Sequence, residues 1–258
     1  MADIVSKQQG NVSDEGQVNW RGDQVSVVQG GQSMYDTSSV QLTELGSRKV
    51  VGDRVFRYAL AGGSIGAGLI AARPAVDSKH MKVLPLTNAV TGVKAITLTL
   101  TTSAAANYFA EGYVQVMSGT AAEQGYMYKI KTHASIGAAG TGVFTLYDPI
   151  KFAVASAALV SVFPNPYSAV VAVTDQTGVA VGIAPIAVVS ADYFWLQTWG
   201  PTPYVAGSAG VPKAGGWLVV GSAGMAETTN SAACAIIGIA VNEVAALEYG
   251  HGWLTIAP

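Results

Sequence analysis

Histidines, cysteines and paired carboxylates, the usual carriers of catalysis and metal binding, are scarce in this chain of 258 residues. The three histidines, His80, His133 and His251, stand far apart, and the single cysteine, Cys234, sits in the apolar run AACAI. A zinc centre would show close ligand pairs such as C-x2-C or H-x3-H, and neither occurs. No cation neighbours Cys234 in the sequence to lower its pKa, so a buried, inert thiol is expected there. Residues 62–68 (GGSIGAG) form the one dense glycine loop. A dinucleotide loop needs G-x-G-x-x-G between a strand and a helix. Here the glycine order differs, and Pro74 follows too soon for a helix of any length, so a turn is expected. There is no G-x-S-x-G elbow and no carboxylate pair in a recognisable setting for glycoside hydrolysis. The expectation is a non-enzymatic protein with no metal and no cofactor. A hydrolase with acids dispersed among its strands stays open as an alternative.

The charge pattern points to contact rather than chemistry. Charged residues make up 12% of the chain and hydrophobic ones 50%, which excludes a disordered polypeptide. Fourteen Lys and Arg against 16 Asp and Glu leave a net charge of −2, so no nucleic-acid partner is expected. Beyond residue 151 the only charged residues are Lys213, Asp175, Asp192, Glu227, Glu243 and Glu248. So few charges suit a half that is partly covered by other chains, because low charge promotes association. The longest uncharged apolar stretch, residues 152–174, is cut by Pro164-Asn165-Pro166. It falls short of the ~20 apolar helical residues of a membrane span. The first ten residues (MADIVSKQQG) contain no apolar h-region, so synthesis in the cytoplasm without export is expected.

The apolar residues that must build the scaffold recur with period two. Residues 95–101 (AITLTLT) set Ile96, Leu98 and Leu100 against Thr97, Thr99 and Thr101, the pattern of a half-buried strand. Similar runs cover residues 52–60, 113–117, 125–132, 142–147, 169–174, 179–183, 193–199, 216–221, 235–241 and 253–256, separated by Gly and Pro turns. The fold expected is all-β, with one or more sandwich-like or barrel-like domains of many short strands. Helix is confined to a short turn at residues 103–110 and another at 242–249. Residues 1–44, rich in Gln, Ser and Gly, read as an extended N-terminal arm. Two β-rich domains follow, residues 45–164 and the low-charge 165–258, with the Pro-Asn-Pro break between them.

Three groups of residues are candidates for contact. In the arm these are Trp20, Met34 and Tyr35, apolar side chains that an idle tail seldom needs. Just after it come Arg48, Lys49, Arg54 and Arg57, a basic group suited to an acidic partner surface. The third group is aromatic: Tyr193, Trp195 and Trp199 in the run YFWLQTWGP, with Trp217 and Trp253 further on. These are candidates for a subunit interface, where Trp and Tyr are enriched. A central core strand is the plainer reading of the run, and a carbohydrate platform is a third.

Several blocks resemble a known family. Residues 45–49 (LGSRK), 52–59 (GDRVFRYA), 111–114 (EGYV), 125–131 (GYMYKIK), 165–167 (NPY), 181–184 (VGIA) and 193–201 (YFWLQTWGP) resemble virion structural proteins of tailed bacteriophages. The resemblance spans about residues 42–258. It implies a decoration or cement protein on the capsid exterior that binds the major capsid protein and stabilises the shell. Such proteins are β-rich, often trimeric, and grip neighbouring subunits with extended arms. A homo-oligomer, with a trimer favoured, and a place in the virion are thus expected. The alternative within the same setting is a head fibre, spike or tail component that binds a host glycan or receptor.

Overall fold

The computed structural model describes residues 32–119, 122–175, 178–228 and 235–258. Trp20 and Cys234 lie outside them. The chain forms two compact units. One is assembled from the two ends, through Pro74 and again from Tyr167 onward. The other, Ala75–Pro166, is inserted between them.

The first unit opens with β1 (Arg48–Val51), β2 (Arg54–Leu60) and β3 (Ile70–Ala72). The inserted unit holds β4 (Leu84–Pro85), β5 (Ala95–Thr99), β6 (Tyr113–Ser118), β7 (Met127–His133), β8 (Thr141–Leu146) and β9 (Leu159–Phe163). The first unit then resumes with β10 (Val171–Ala172), β11 (Ala180–Ile183), β12 (Tyr193–Val205) and β13 (Trp217–Val220). It ends with β14 (Ala226–Glu227), β15 (Ile236–Ala240) and β16 (Tyr249–Thr255). The protein is therefore all-β, as the period-two pattern requires. The division differs from the one expected at residue 164. A boundary does fall at the Pro-Asn-Pro break, but β2 pairs with β12, and β3 with β10 and β11, about 100 or more residues downstream. Only that pairing shows residues 75–166 to be an insertion.

In the inserted unit the strand order is β4-β5-β8-β7-β6-β9, antiparallel throughout. Val83, just before β4, exchanges both backbone hydrogen bonds with Val160 of β9 at 2.8 and 2.9 Å. That bridge joins the two ends of the order and curls the sheet into a barrel-like ring, leaving few unpaired edges. The alternation read in residues 95–99 is met: Ile96 and Leu98 point inward while the residues between them are half-exposed. Ile96 lies directly opposite Phe144, and both belong to a core with Leu100, Phe109, Val114, Ile130 and Leu146.

The first unit is a ten-stranded antiparallel sheet, ordered β10-β3-β11-β12-β16-β15-β13-β14, with the β1–β2 hairpin joined to β12. β12 organises it. Its first half pairs with β2 and its second half with β16. The change occurs at a bulge between Gln197 and Trp199, just before Gly200. Gly200 has φ +85°, and a Cβ there would lie 2.3 Å from the Asp53 carbonyl oxygen, so no other residue fits this bend.

Both segments with expected helical turns are irregular. Asn107 (φ 58°) and Leu247 (φ 67°) take left-handed conformations that a helix cannot contain. Between the glycine loop and Pro74 the chain forms strand β3 rather than a helix. The glycine loop itself is a turn, pinned by Ile65, which bridges to Val188 and is buried. None of the helices among the described residues is long and apolar enough to cross a membrane.

Candidate assembly surfaces

The first half of β12 carries an aromatic face, and the chain covers it itself. Phe56, Tyr58 and Trp195 are fully buried and pack with Met34. The Tyr58 and Trp195 rings meet edge-on at 5.0 Å, and Tyr58 stacks on Tyr193 at 5.8 Å. Residues 32–45 close over them through polar anchors. The Gln32 backbone oxygen accepts from Trp195 Nε1 (3.1 Å) and from Lys49 Nζ (2.9 Å). Its side-chain Nε2 donates to the carbonyls of Asp36 and Tyr193, while its Oε1 accepts from Tyr58 OH. Ser38 and Tyr193 exchange both backbone hydrogen bonds, at 3.0 and 2.7 Å. Buried donors and acceptors are thus satisfied together, which is what allows a polar segment to lie on an apolar floor.

This packing corrects three expectations. Met34 and Lys49 stand among the expected capsid contacts, and Trp195 among the interface residues, yet all three are buried in the first unit. Met34 fills the space over Phe56. The Lys49 ammonium lies 5.3 Å from the Trp195 ring centroid, and burial holds its pKa below the ordinary lysine value. Residues 32–44 are likewise a docked segment of this unit, not a free arm. Trp20 lies outside the described residues, so the reading of the earlier arm stands as an expectation.

The remaining basic residues split between the two faces of the β1–β2 hairpin. Arg54 shares the Phe56 side. Its guanidinium sits 5.5 Å from the Phe56 ring and donates to Met34 Sδ and to the hydroxyl of the exposed Tyr35. Arg48 and Arg57 lie directly opposite each other on the other side. Arg57 donates to the carbonyls of Gly46 and Pro258, and Arg48 is exposed.

The second half of the sheet presents a different face. Register places Trp217 (β13) opposite Ile239 (β15), Ile239 opposite Trp253 (β16), and Trp253 opposite Pro201 (β12). Directly opposite residues share a face, so these four form one row across four strands. Trp217 is 53% exposed, and Ile239 and Trp253 are each 38% exposed. Tyr249, at the start of β16, and Val241, just past the end of β15, are also exposed. The half-buried Trp199 lies opposite Thr255 on the same side. The reverse of these strands is the core, with Leu218, Leu254, Tyr204 and Ala240 buried. There the Tyr204 ring lies over Gly250, its cross-strand partner. A Cβ on Gly250 would come 2.4 Å from the ring. Strands β12, β13, β15 and β16 contain no Asp, Glu, Lys or Arg, and His251 is their only titratable imidazole.

The histidines hold structural positions. His80 and His133 flank the Phe109 ring at 4.9 and 5.5 Å inside the inserted unit. His133 Nε2 accepts from the Phe109 amide and Nδ1 donates to the Ala134 carbonyl, so the ring is held neutral. Burial lowers its pKa accordingly. Two buried acids escaped the sequence reading. Glu123 accepts from the Ala155 amide. Glu227 accepts from Ser222 Oγ and occupies space left by Gly207 and Gly221. Among the described residues, no group of three or more His, Cys, Asp or Glu side chains is placed to hold a metal ion. No family model, curated protein or solved structure matches the chain.

Proposed function

We propose that this protein is a non-enzymatic structural component of a tailed-phage head, a decoration protein that binds the outside of the major capsid shell and stabilises it. The observation that carries this reading is the broad, charge-free aromatic face of β12, β16, β15 and β13. Contiguous exposed apolar surface of this kind marks contact with another protein. The resemblance across residues 42–258 supplies the assembly in which that contact is made.

The shell contact is assigned to the hairpin. Arg48 and Arg57 face each other across β1 and β2, and like charges so placed oppose pairing by roughly 0.2–1 kcal/mol. A carboxylate on a partner surface set between them relieves that repulsion. On the opposite face of the hairpin the exposed Tyr35, bonded to the half-buried Arg54, offers a second contact, and Trp20 belongs to the upstream segment that would extend the grip.

Co-sedimentation of the purified protein with capsids lacking it tests the assignment. Saturable binding is expected, and Arg48→Glu combined with Arg54→Glu should weaken it about tenfold or more, since each reversal turns attraction into repulsion. Absence of the polypeptide from purified virions would sink the proposal. The head fibre or tail reading draws on the same exposed Trp217 and Trp253. Quenching of their fluorescence by host oligosaccharides would favour it.

A further inference from the structure

We infer that residues 104–111 are an acid-released cap on the inserted unit, latched by His133 and opening before the barrel-like ring itself does. The latch is independent of the shell contact assigned to the hairpin.

The placing of the imidazole is the first argument. Strict alternation from the buried Ile130 would turn residue 133 outward. A bulge between Ile130 and Thr132 adds one residue to β7, and His133 lands opposite Phe144 in the core instead. Its ring lies 5.0 Å from that of Phe144 and 5.5 Å from that of Phe109.

The second is how the cap is attached. At one end Ala104 exchanges both backbone hydrogen bonds with Ile136, and at the other the Glu111 amide donates to the Ile130 carbonyl. Between these ends three hydrogen bonds tie the segment to β7, and all three meet His133. The Asn107 amide donates to its carbonyl (3.1 Å), Asn107 Oδ1 accepts from its amide (3.1 Å), and the Phe109 amide donates to its Nε2 (3.0 Å). Ala105, Ala106, Asn107 and Tyr108 are exposed, while Phe109 is sunk in the core. A segment with so few buried contacts opens at lower cost than the strands beneath it.

The third is the proton. His133 Nδ1 donates to the Ala134 carbonyl and Nε2 accepts from the Phe109 amide, so both nitrogens are committed. A proton added at Nε2 sets one N–H against another and strips the Phe109 amide of that acceptor. The surroundings supply little compensation. Across the Phe109 ring stands His80, 5% exposed, its Nε2 buried without a partner. The short turn Ser78–His80 also carries Lys79, whose amide is capped by Asp77. β8 has no charged residue, β7 has Lys129 and Lys131, and the cap has Glu111. Burial lowers the His133 pKa. The opened cap therefore holds a proton that the closed one sheds: closure is complete above about pH 6.5 and is lost as the pH falls below it.

Hydrogen exchange of the full-length protein, read by mass spectrometry at pH 7.5, 6.0 and 5.0 and corrected for intrinsic exchange rates, tests the latch. Protection of amides in residues 104–111 should fall about tenfold or more between pH 7.5 and 5.0, while peptides from β5 and β8 change less. In His133→Gln the amide oxygen replaces Nε2 as acceptor without titrating, and protection at pH 5.0 should stay within about threefold of its value at pH 7.5. His80→Phe keeps a ring against Phe109 and should leave the tenfold fall in place. Should His133→Gln lose its structure at pH 7.5, that retained fall still assigns the effect to His133, the other imidazole of the unit. Unchanged protection in the wild type overturns the inference. So does an equal loss in every peptide of residues 75–166, which would mean that the unit melts as one, and so does a fall that survives in a folded His133→Gln or disappears in His80→Phe.

Discussion

The two halves of β12 pose the same problem and meet it differently. Before Gly200, Trp195 lies on an aromatic face with Phe56 and Tyr58, and residues 32–45 of the same chain seal it. After Gly200, Trp253 and Trp217 lie on a face of similar character that no described residue covers. The covered face has a polar anchor, Gln32, and the cations Lys49 and Arg54 folded over its rings. The bare face has no cation of its own. The contrast teaches that aromatic density alone does not say where a strand is buried. What decides is whether the chain has a segment able to satisfy polar groups while it covers the rings.

The sharpest way to break this comparison is to truncate one tryptophan on each side. Trp195→Ala should destabilise the fold by about 3–5 kcal/mol, the usual range for emptying a filled core site. Trp217→Ala should cost less than about 1 kcal/mol in the folding of the monomer. Denaturant unfolding at a concentration low enough to suppress association measures both. Equal losses would mean that the second face is not bare.

Next in size is the anchor. Gln32→Ala removes the acceptor for Tyr58 OH and the donors to Asp36 and Tyr193, so a loss of about 1–3 kcal/mol is expected. The backbone bonds to Trp195 and Lys49 survive this change. Faster proteolysis around residues 32–45, seen by mass spectrometry, would accompany the loss if the lid is held as described. On the other side, Gly250→Ala probes the inner surface of the bare face. The new methyl meets the Tyr204 ring, and about 1–3 kcal/mol is expected from overpacking.

The smallest effect comes from acid. His133 has a folded pKa below the ordinary 6.5, so the unfolded chain binds more protons as pH falls beneath 6.5. Stability of the inserted unit is therefore complete above that pH and declines as the pH drops toward the folded value. A lower melting temperature at pH 5 than at pH 7.5 is expected, and His133→Gln should reduce the difference.

The all-β class was legible because alternation is local. Ile96 and Leu98 must share a side of any strand that contains them. Several strand cores fell where the period placed them, but β12 runs on to Val205, through two prolines that read as its end. Pro201 and Pro203 fit because Thr202 and Tyr204, not they, supply amide donors to the ladder. The helical turns failed because left-handed residues such as Asn107 leave no periodic trace. Met34 and Lys49 read as contacts because a methionine and a lysine in polar sequence look exposed. Their burial depends on Trp195, some 150 residues away.

By itself, then, the sequence determined the strand-forming period and the scarcity of charge beyond residue 151. Both are sums over neighbouring or counted residues and need no partner. Tertiary structure decided which aromatics are sealed and which are open, and that residues 75–166 are an insertion. Those outcomes turn on pairings between strands far apart in the chain, such as β2 with β12, whose register fixes each side chain to one face or the other.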